Sequence, residues 1–560
     1  KTMVDMLLSG EADRYDSQLI EVLECVVRQS ATGESPVGRN SQIKRGAFTG
    51  KEQKNLNEDK IRLTEVLIPQ LPALLHRFIA DRDKVANLVS IARYFQLDIY
   101  QAGRLEKCLD DLMNVFEIVI EKHADDEVLQ NVAEVMAYFS TNSAVAQHTE
   151  TYRLKLLDGL ALQFRYSIQR FHREQALDDE DDAAMLAVFR KITSFAMFED
   201  LKKWQLWEPA LSVLNSSEEK HPSRDVCEKA VLLLFSILSW ELRRLLADEE
   251  SNKTEAIKKL KKHKDQFIQV VGNILSSGAS GVENAFLCLA DMLLLFSGSE
   301  DRSLEPLLSK AIVRAMSIFV MDNVFVEEDV PEDAINQQSQ IELKHKRRNL
   351  LTQYCKLILY GVLEIADASL VFRFYTKFYT DFGDIIRMLL VKCRELDKLA
   401  CARAIVSSLC FNYEDLRKCA KDEYLDPNSE EFATVRELAK RFSTAFGPDP
   451  LRSREAIAII HRDGIVFALD DKKGAKLTFL EILIEFSGRL MRQDKQSVLK
   501  YLEKHGTDVL AEEPFVLYKA SLQERSEDAG SVRNASIRAR NRGRAKGRVS
   551  PTLSNAEEQL

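Results

Sequence analysis

Apolar residues in this 560-residue chain recur at the helical period almost throughout, and nowhere over a comparable length at the two-residue period of a strand. Between Val226 and Leu245, the side chains of Ala230, Leu233, Leu234, Ile237, Leu238 and Leu242 fall on one helical face. From Leu343 to Ile365 the stripe is Leu350, Leu351, Tyr354, Leu357, Ile358, Val362 and Ile365. Phe479 to Leu490 repeats it with Leu480, Leu483, Ile484 and Phe486. Gly and Pro, which punctuate helices and build the turns of sheets, supply only 21 and 12 residues. The pattern predicts an all-α fold of about eighteen helices, paired every ~35–45 residues, near the HEAT-repeat period. One amphipathic hairpin cannot bury its apolar face alone, whereas stacked hairpins share a continuous core. A chain this long also exceeds what one globular core usually holds. The expected architecture is therefore a HEAT-repeat-like α-solenoid over residues 1–525, with polar loops near 31–57 and 327–340. A disordered basic tail is expected over 526–560, where the hydrophobic period is lost.

Charge is unevenly spread. The net value is −9, yet the last thirty residues carry seven basic side chains against Glu557 and Glu558, which leaves the preceding chain at −14. An acidic body binds nucleic acid only through local basic patches. No apolar run approaches the roughly 18 residues needed to cross a bilayer, so no membrane association is expected. The chain opens at Lys1 rather than Met and reads as a fragment. Its nine cysteines form no C-x-x-C pair, and most lie in apolar stretches, so they read as buried free thiols in a reducing compartment.

Signals of catalysis are missing from the sequence. The nine histidines form no H-x-x-x-H pair, and Walker, Rossmann and G-x-S-x-G glycine patterns are absent. No enzyme and no cofactor is expected. The run Asp178-Asp179-Glu180-Asp181-Asp182 reads as a solvated helix start, because carboxylates favour a helix amino terminus. Three basic groups are candidates for sequence-independent contact with DNA phosphates. The first is Lys258, Lys259 and Lys262, in a run that continues through Lys261 and Lys264. The second is Lys346, Arg347 and Arg348, beside Lys344. The third is the tail, with Arg540, Arg542 and Arg544. The tail also suits a nuclear import signal or a phosphorylated linker, since Ser536 follows Arg533 and Ser550 precedes Pro551. One further cluster joins Phe372, Phe374, Tyr375, Phe378, Tyr379 and Phe382 to Asp381, Asp384 and Arg387. Most of these rings suit a core, while the acidic pair beside them could seat a basic residue of a partner segment.

Several segments together resemble the stromalin (SA/Scc3) family of cohesin subunits. They include KIRLTEVLIPQLPALL at 60–75, YFQLDIYQAGRLEKCLDDL at 94–112, KHKRRNLLTQYCKLILYGVLE at 344–364 and FYTKFYTDFGDIIR at 374–387. VRELAKRFSTAFG at 435–447, REAIAIIHRDGI at 454–465 and FLEILIEFSGRLMRQDK at 479–495 continue the series in the family's order and spacing. The likeness runs from about residue 10 to about 505 and is similar to the family's carboxyl-terminal portion. No segment resembles the family's conserved amino-terminal region, so the insulator-factor and cohesin-protector surface carried there is not expected of this chain.

The resemblance implies a HEAT-repeat solenoid that acts as a non-enzymatic scaffold in sister-chromatid cohesion and chromosome organisation. It implies binding to the kleisin (Scc1/Rad21-type) subunit, through it to the pair of SMC ATPases, and to loading and release factors and DNA. The implied location is the chromosome within the nucleus. The family's kleisin-binding segments fall here on Asp381-Phe382-Gly383-Asp384-Ile385-Ile386 and on His461-Arg462-Asp463-Gly464. Asp384 and Arg462 become the leading contact residues, with Asp381, Tyr379 and Arg387 beside them. The two leading charges could face a partner or pair with each other; Arg462 stands where the family usually has Lys, which keeps the charge but changes the geometry. The rival readings are an importin-like or vesicle-coat α-solenoid adaptor, which shares the same hairpins, and an accessory subunit whose chemistry lies upstream.

Overall fold

The computed structural model describes residues 2–10, 14–34, 50–101, 105–174, 178–216, 222–247, 252–277, 282–299, 301–327, 337–419, 425–447, 449–470, 476–506 and 512–523. Among these residues the chain forms twenty-three α-helices and five short 3-10 helices, and no strand. No helix among them is long and apolar enough to cross a membrane. They fall into two compact units, Lys1–Met292 with Ser299–Pro306, and Leu293–Gly298 with Leu307–Leu560.

Each unit is a stack of hairpins, as the helical stripes predict. In the first, the Asp126–Thr141 helix packs on Asp179–Phe198, which packs in turn on Arg224–Leu246. In the second, Ala368–Phe372, Lys398–Cys419 and Pro450–Leu469 form an equivalent row. The repeat period, faint in the residues themselves, reappears as the sequence separation of polar contacts between neighbouring layers. Arg93 with Glu134, Trp240 Nε1 with the Ala196 carbonyl, Ser317 with Tyr354, and Arg454 with Asp494 join residues 37 to 44 positions apart. Such contacts tie each layer to the next while apolar burial supplies most of the stability.

Most residues of the predicted stripes are buried, while Ile237, Val362, Ile365 and Ile484 are half-buried. Ala230, Leu233, Leu234, Leu238 and Leu242 are buried in the helix Arg224–Leu246, whose first turn is capped by the Ser223 hydroxyl accepting from the Val226 amide. Asp178 caps Asp179–Phe198 by accepting from the Asp181 amide, and the acidic run that follows fills that helix's first turn.

Four boundaries differ from expectation. The stripe drawn from Leu343 to Ile365 belongs to a helix that begins at Gln337 and stops at Leu359. Gly361 takes φ +75, and the Val362 amide turns back to the Leu357 carbonyl, so a left-handed cap ends the helix although apolar residues continue. The last predicted stripe stops at Ser487 rather than Leu490. The loop expected over 31–57 is shorter, because helices cover Asp16–Thr32 and Gly50–Leu67, and residues 35–49 lie outside the described residues. Likewise 337–340, expected as loop, are the first turn of Gln337–Leu359, and 328–336 are not described. The helix count is higher than about eighteen because pieces such as Leu71–Arg77 and Ala368–Phe372 are too short to display a period. The expected tail over 526–560 lies outside the described residues.

Candidate functional site

The segment 381–386 opens the helix Tyr379–Leu396, and helical geometry sends its residues to different tasks. Phe382 and Ile386 are buried. Phe382 meets Phe325 edge-on at 5.6 Å between centroids, and Phe325 also stacks on Phe374 at 4.2 Å, so most of the aromatic cluster is core as expected. Gly383 is the residue that lets the ring of Tyr379, one turn back, lie against the helix: a Cβ there would meet the ring at 2.8 Å. Tyr379 is thereby held half in solvent (46% exposed), with the guanidinium of Arg441 over its face at 4.2 Å.

Asp381 and Asp384 face outward, and both are already engaged. Arg348 grips Asp384 with two bonds, Nη2 to Oδ2 at 2.5 Å and Nη1 to Oδ1 at 3.1 Å, and Nη1 also donates to the Asp381 carbonyl. Lys344 sits 3.4 Å from the Asp381 carboxylate. The Arg348 bond holds the Asp384 carboxyl below its ordinary range. The basic cluster assigned to DNA and the acidic pair assigned to a polypeptide are therefore brought together. Lys346 is exposed, Arg347 is half-buried with a partner of its own, and Arg387 is exposed on the next turn of the Tyr379 helix.

Four consecutive residues in Pro450–Leu469 divide the same way. His461 is fully buried, with Nδ1 at 2.6 Å from the Tyr518 hydroxyl; burial and nearby Lys495 bring its pKa down to about 4. Gly464 abuts the next layer, where an added Cβ would stand 2.6 Å from a Leu483 methyl. Arg462 alone points to solvent, steadied by Asp463 at 3.0 Å and flanked one turn on by exposed Val466. Asp384 and Arg462 do not pair with each other: each takes a different counter-ion.

Between the Arg373–Phe378 turn, the end of Lys398–Cys419 and the first half of Glu430–Ala445 lies a cleft of about 830 Å³. Phe374, Leu416 and Ala433 give it an apolar lining, and Glu430 and Glu431 give it an acidic lip. Arg441 reaches both this cleft and the Tyr379 ring. Arg373 is neutralised by Asp415, and Lys377 by Glu327 at 2.6 Å. The reading of the sequence missed this cleft, because its walls come from three separate segments; Gly383, spaced four residues after Tyr379, was the one local sign of a placed ring.

The lysine run on Lys253–Ser276 is not a uniform patch. Lys258 is exposed, Lys259 pairs with Glu241 at 3.2 Å, and Lys262 lies 3.5 Å from Glu208. Lys264, grouped with them in the sequence, is buried; its ammonium donates to the Glu305 carbonyl at 3.1 Å. The helical turn carries it inward with its apolar stem. Arg540, Arg542 and Arg544 lie outside the described residues. The described residues hold no cluster of His, Cys, Asp or Glu suited to a metal ion. Cys288, Cys355, Cys393 and Cys401 are buried as expected, and burial pushes the Cys401 thiol up to about 12; Cys25, Cys108, Cys227 and Cys410 are only half-buried and Cys419 is exposed, contrary to expectation.

Two family descriptions match this chain: "Cohesin subunit SCC3/SA, HEAT-repeats domain" over residues 1–240, and "STAG protein C-terminal domain" over residues 398–526. The Caenorhabditis elegans protein named cohesin subunit scc-3 is 38% identical over 547 residues, covering 94% of this chain and 49% of that protein. Xenopus laevis cohesin subunit SA-1 is 34% identical, covering 93% of this chain and 43% of its own length. Human cohesin subunit SA-3 is 34% identical, covering 98% and 46% respectively. The chain thus spans about half the length of these relatives.

Proposed function

This chain belongs to the SCC3/SA family of cohesin subunits, and from that premise we propose that it is a non-enzymatic scaffold that grips the kleisin subunit and helps hold DNA. The observation that carries the proposal is the division of labour within the two short segments. Phe382, Gly383 and Ile386 in the first and His461 and Gly464 in the second serve packing, and the charges of Asp384 and Arg462 are left on the surface.

The kleisin segment is an extended polypeptide. It would run along the cleft, set apolar side chains against Phe374, Leu416 and Ala433, and offer cations to the Glu430–Glu431 lip and to Asp384. An acidic residue would meet Arg462, beside Val466. A partner that orders on binding loses conformational entropy, which a long prepared surface offsets by contact area. Tyr379, held by Gly383 and Arg441, supplies a rigid aromatic contact of the kind that dominates interfaces. Through the kleisin the chain would join the SMC ATPase pair on chromosomes in the nucleus, where loading and release factors also act. Lys258 and Lys346 are exposed cations that DNA phosphates could reach, whereas Lys262 would first have to leave Glu208, and that contact would be salt-dependent and independent of sequence.

Three surface changes test the grip. Asp384→Lys and Arg462→Glu should each weaken capture of a purified kleisin fragment by about tenfold or more, since each places a like charge against the partner. Ala433→Trp should obstruct the cleft from an exposed position without touching the core. Titration calorimetry gives the affinities, and circular dichroism checks that helicity is kept. Unchanged affinity in all three would remove this surface from the interface.

A further inference from the structure

The charges on Gln337–Leu359 and on Tyr379–Leu396 answer one another. Arg348 holds Asp384 with a two-pronged grip and also donates to the Asp381 carbonyl, while Lys344 faces the Asp381 carboxylate. A phosphate approaching Arg348 meets a guanidinium already occupied, and a cation approaching Asp384 meets a carboxylate already neutralised. We infer that this group is an ion-exchange site for two ligands at once: a cationic side chain of the bound polypeptide takes Asp384, and Arg348 is thereby released to a phosphate of the DNA backbone.

Three features of the group support the exchange. The side chain of Asp384 is 67% exposed and that of Arg348 36%, so both partners can be reached without opening the core. The fork that binds a carboxylate through two parallel N–H bonds fits two phosphate oxygens equally well, so Arg348 changes partner without changing its geometry. The pair lies near solvent, where such bridges are weak and therefore exchangeable. Lys346, exposed two residues before Arg348, would extend the phosphate contact. Thermodynamic linkage makes the effect reciprocal: whatever factor the polypeptide adds to DNA affinity, DNA adds to polypeptide affinity. The inference rests on the kleisin reading for its first ligand, but the internal pair can be tested without any kleisin.

The experiment measures binding of the full chain to a short fluorescent DNA duplex by anisotropy across a salt series. Asp384→Asn, which removes the neutralising carboxylate and leaves Arg348 held only by neutral acceptors such as the Asp381 carbonyl, should raise DNA affinity about two- to fivefold. It should also steepen the dependence of log affinity on log salt by about one. Arg348→Gln in that background should abolish both gains. Glu395→Gln is the control: it removes the same charge from the same helix and frees Lys392, whose nitrogen lies 2.8 Å from Glu395, but it lies outside the group. A saturating kleisin fragment should raise the DNA affinity of the native chain by a similar factor and leave Asp384→Asn unaffected. If Asp384→Asn gains no more than Glu395→Gln, or keeps its gain without Arg348, the exchange is refuted. If the Asp384→Asn gain appears as described but the kleisin fragment does not bind the native chain, the ion-exchange pair stands and it is the kleisin reading that falls.

Discussion

His461 and Arg462 are adjacent in sequence and opposite in environment, and the difference is measurable. His461 is buried against Tyr518 with its pKa lowered to about 4, whereas an unfolded chain protonates histidine near 6.5. The unfolded state therefore binds the proton first as pH falls. Stability from this residue is fully present above about pH 6.5, declines between about 6.5 and 4, and is flat below. The full loss is about 3 kcal/mol at the usual 1.36 kcal/mol per pKa unit. Thermal melts of the native chain should show this decline, and His461→Asn, which cannot titrate, should lack that component. Parallel pH profiles for the two proteins would show that the ring is not buried neutral. The family resemblance marked the four residues as one kleisin-binding segment, with Arg462 as its leading contact. In the fold only Arg462 is presented, because consecutive helical residues point about 100° apart and the layer behind takes the other directions.

At the scale of elements, glycine positions separate structure from function. At Gly464 an added methyl would meet Leu483 of the neighbouring layer, so Gly464→Ala should cost about 1–3 kcal/mol in chemical denaturation. At Gly383, itself buried, the three atoms nearest the methyl all belong to the ring of Tyr379, a half-exposed side chain of the same helix. Gly383→Ala should therefore leave the denaturation midpoint close to that of the native chain and weaken kleisin capture by displacing the ring. A large stability loss at Gly383, or none at Gly464, would reverse these roles. The helix over 337–359 teaches a similar lesson: in the sequence its apolar stripe runs on to Ile365, but the left-handed Gly361 allows the backbone to leave the helix at Leu359.

Across the whole molecule, local contact is the rule: layers meet residues about one repeat away in sequence. A stack of this kind distributes stability among neighbours instead of concentrating it in one core. Trp204, Trp207 and Trp240, the chain's three tryptophans, all lie in the first compact unit, so their fluorescence reports that unit while far-ultraviolet dichroism reports every helix. Leu409 is fully buried in the second unit, and Leu409→Ala should destabilise that unit by about 2–5 kcal/mol. In a urea titration the dichroism transition should move to lower concentration while the tryptophan transition stays in place. A joint shift of both signals would mean that the chain unfolds as one cooperative body.

Helical class, hairpin stacking and family were legible in the residues alone, because an amphipathic period and a long ordered series of segments are properties of the chain itself. So were the outward charges of Asp384 and Arg462 as candidates for contact. The pairing of Arg348 with Asp384, the inward turn of Lys264 and the cleft beside Phe374 were not. Each depends on which layers become neighbours and at what angle, and a charge some forty residues away leaves no mark on local periodicity. Tertiary packing alone decided which charges face solvent free and which are already answered.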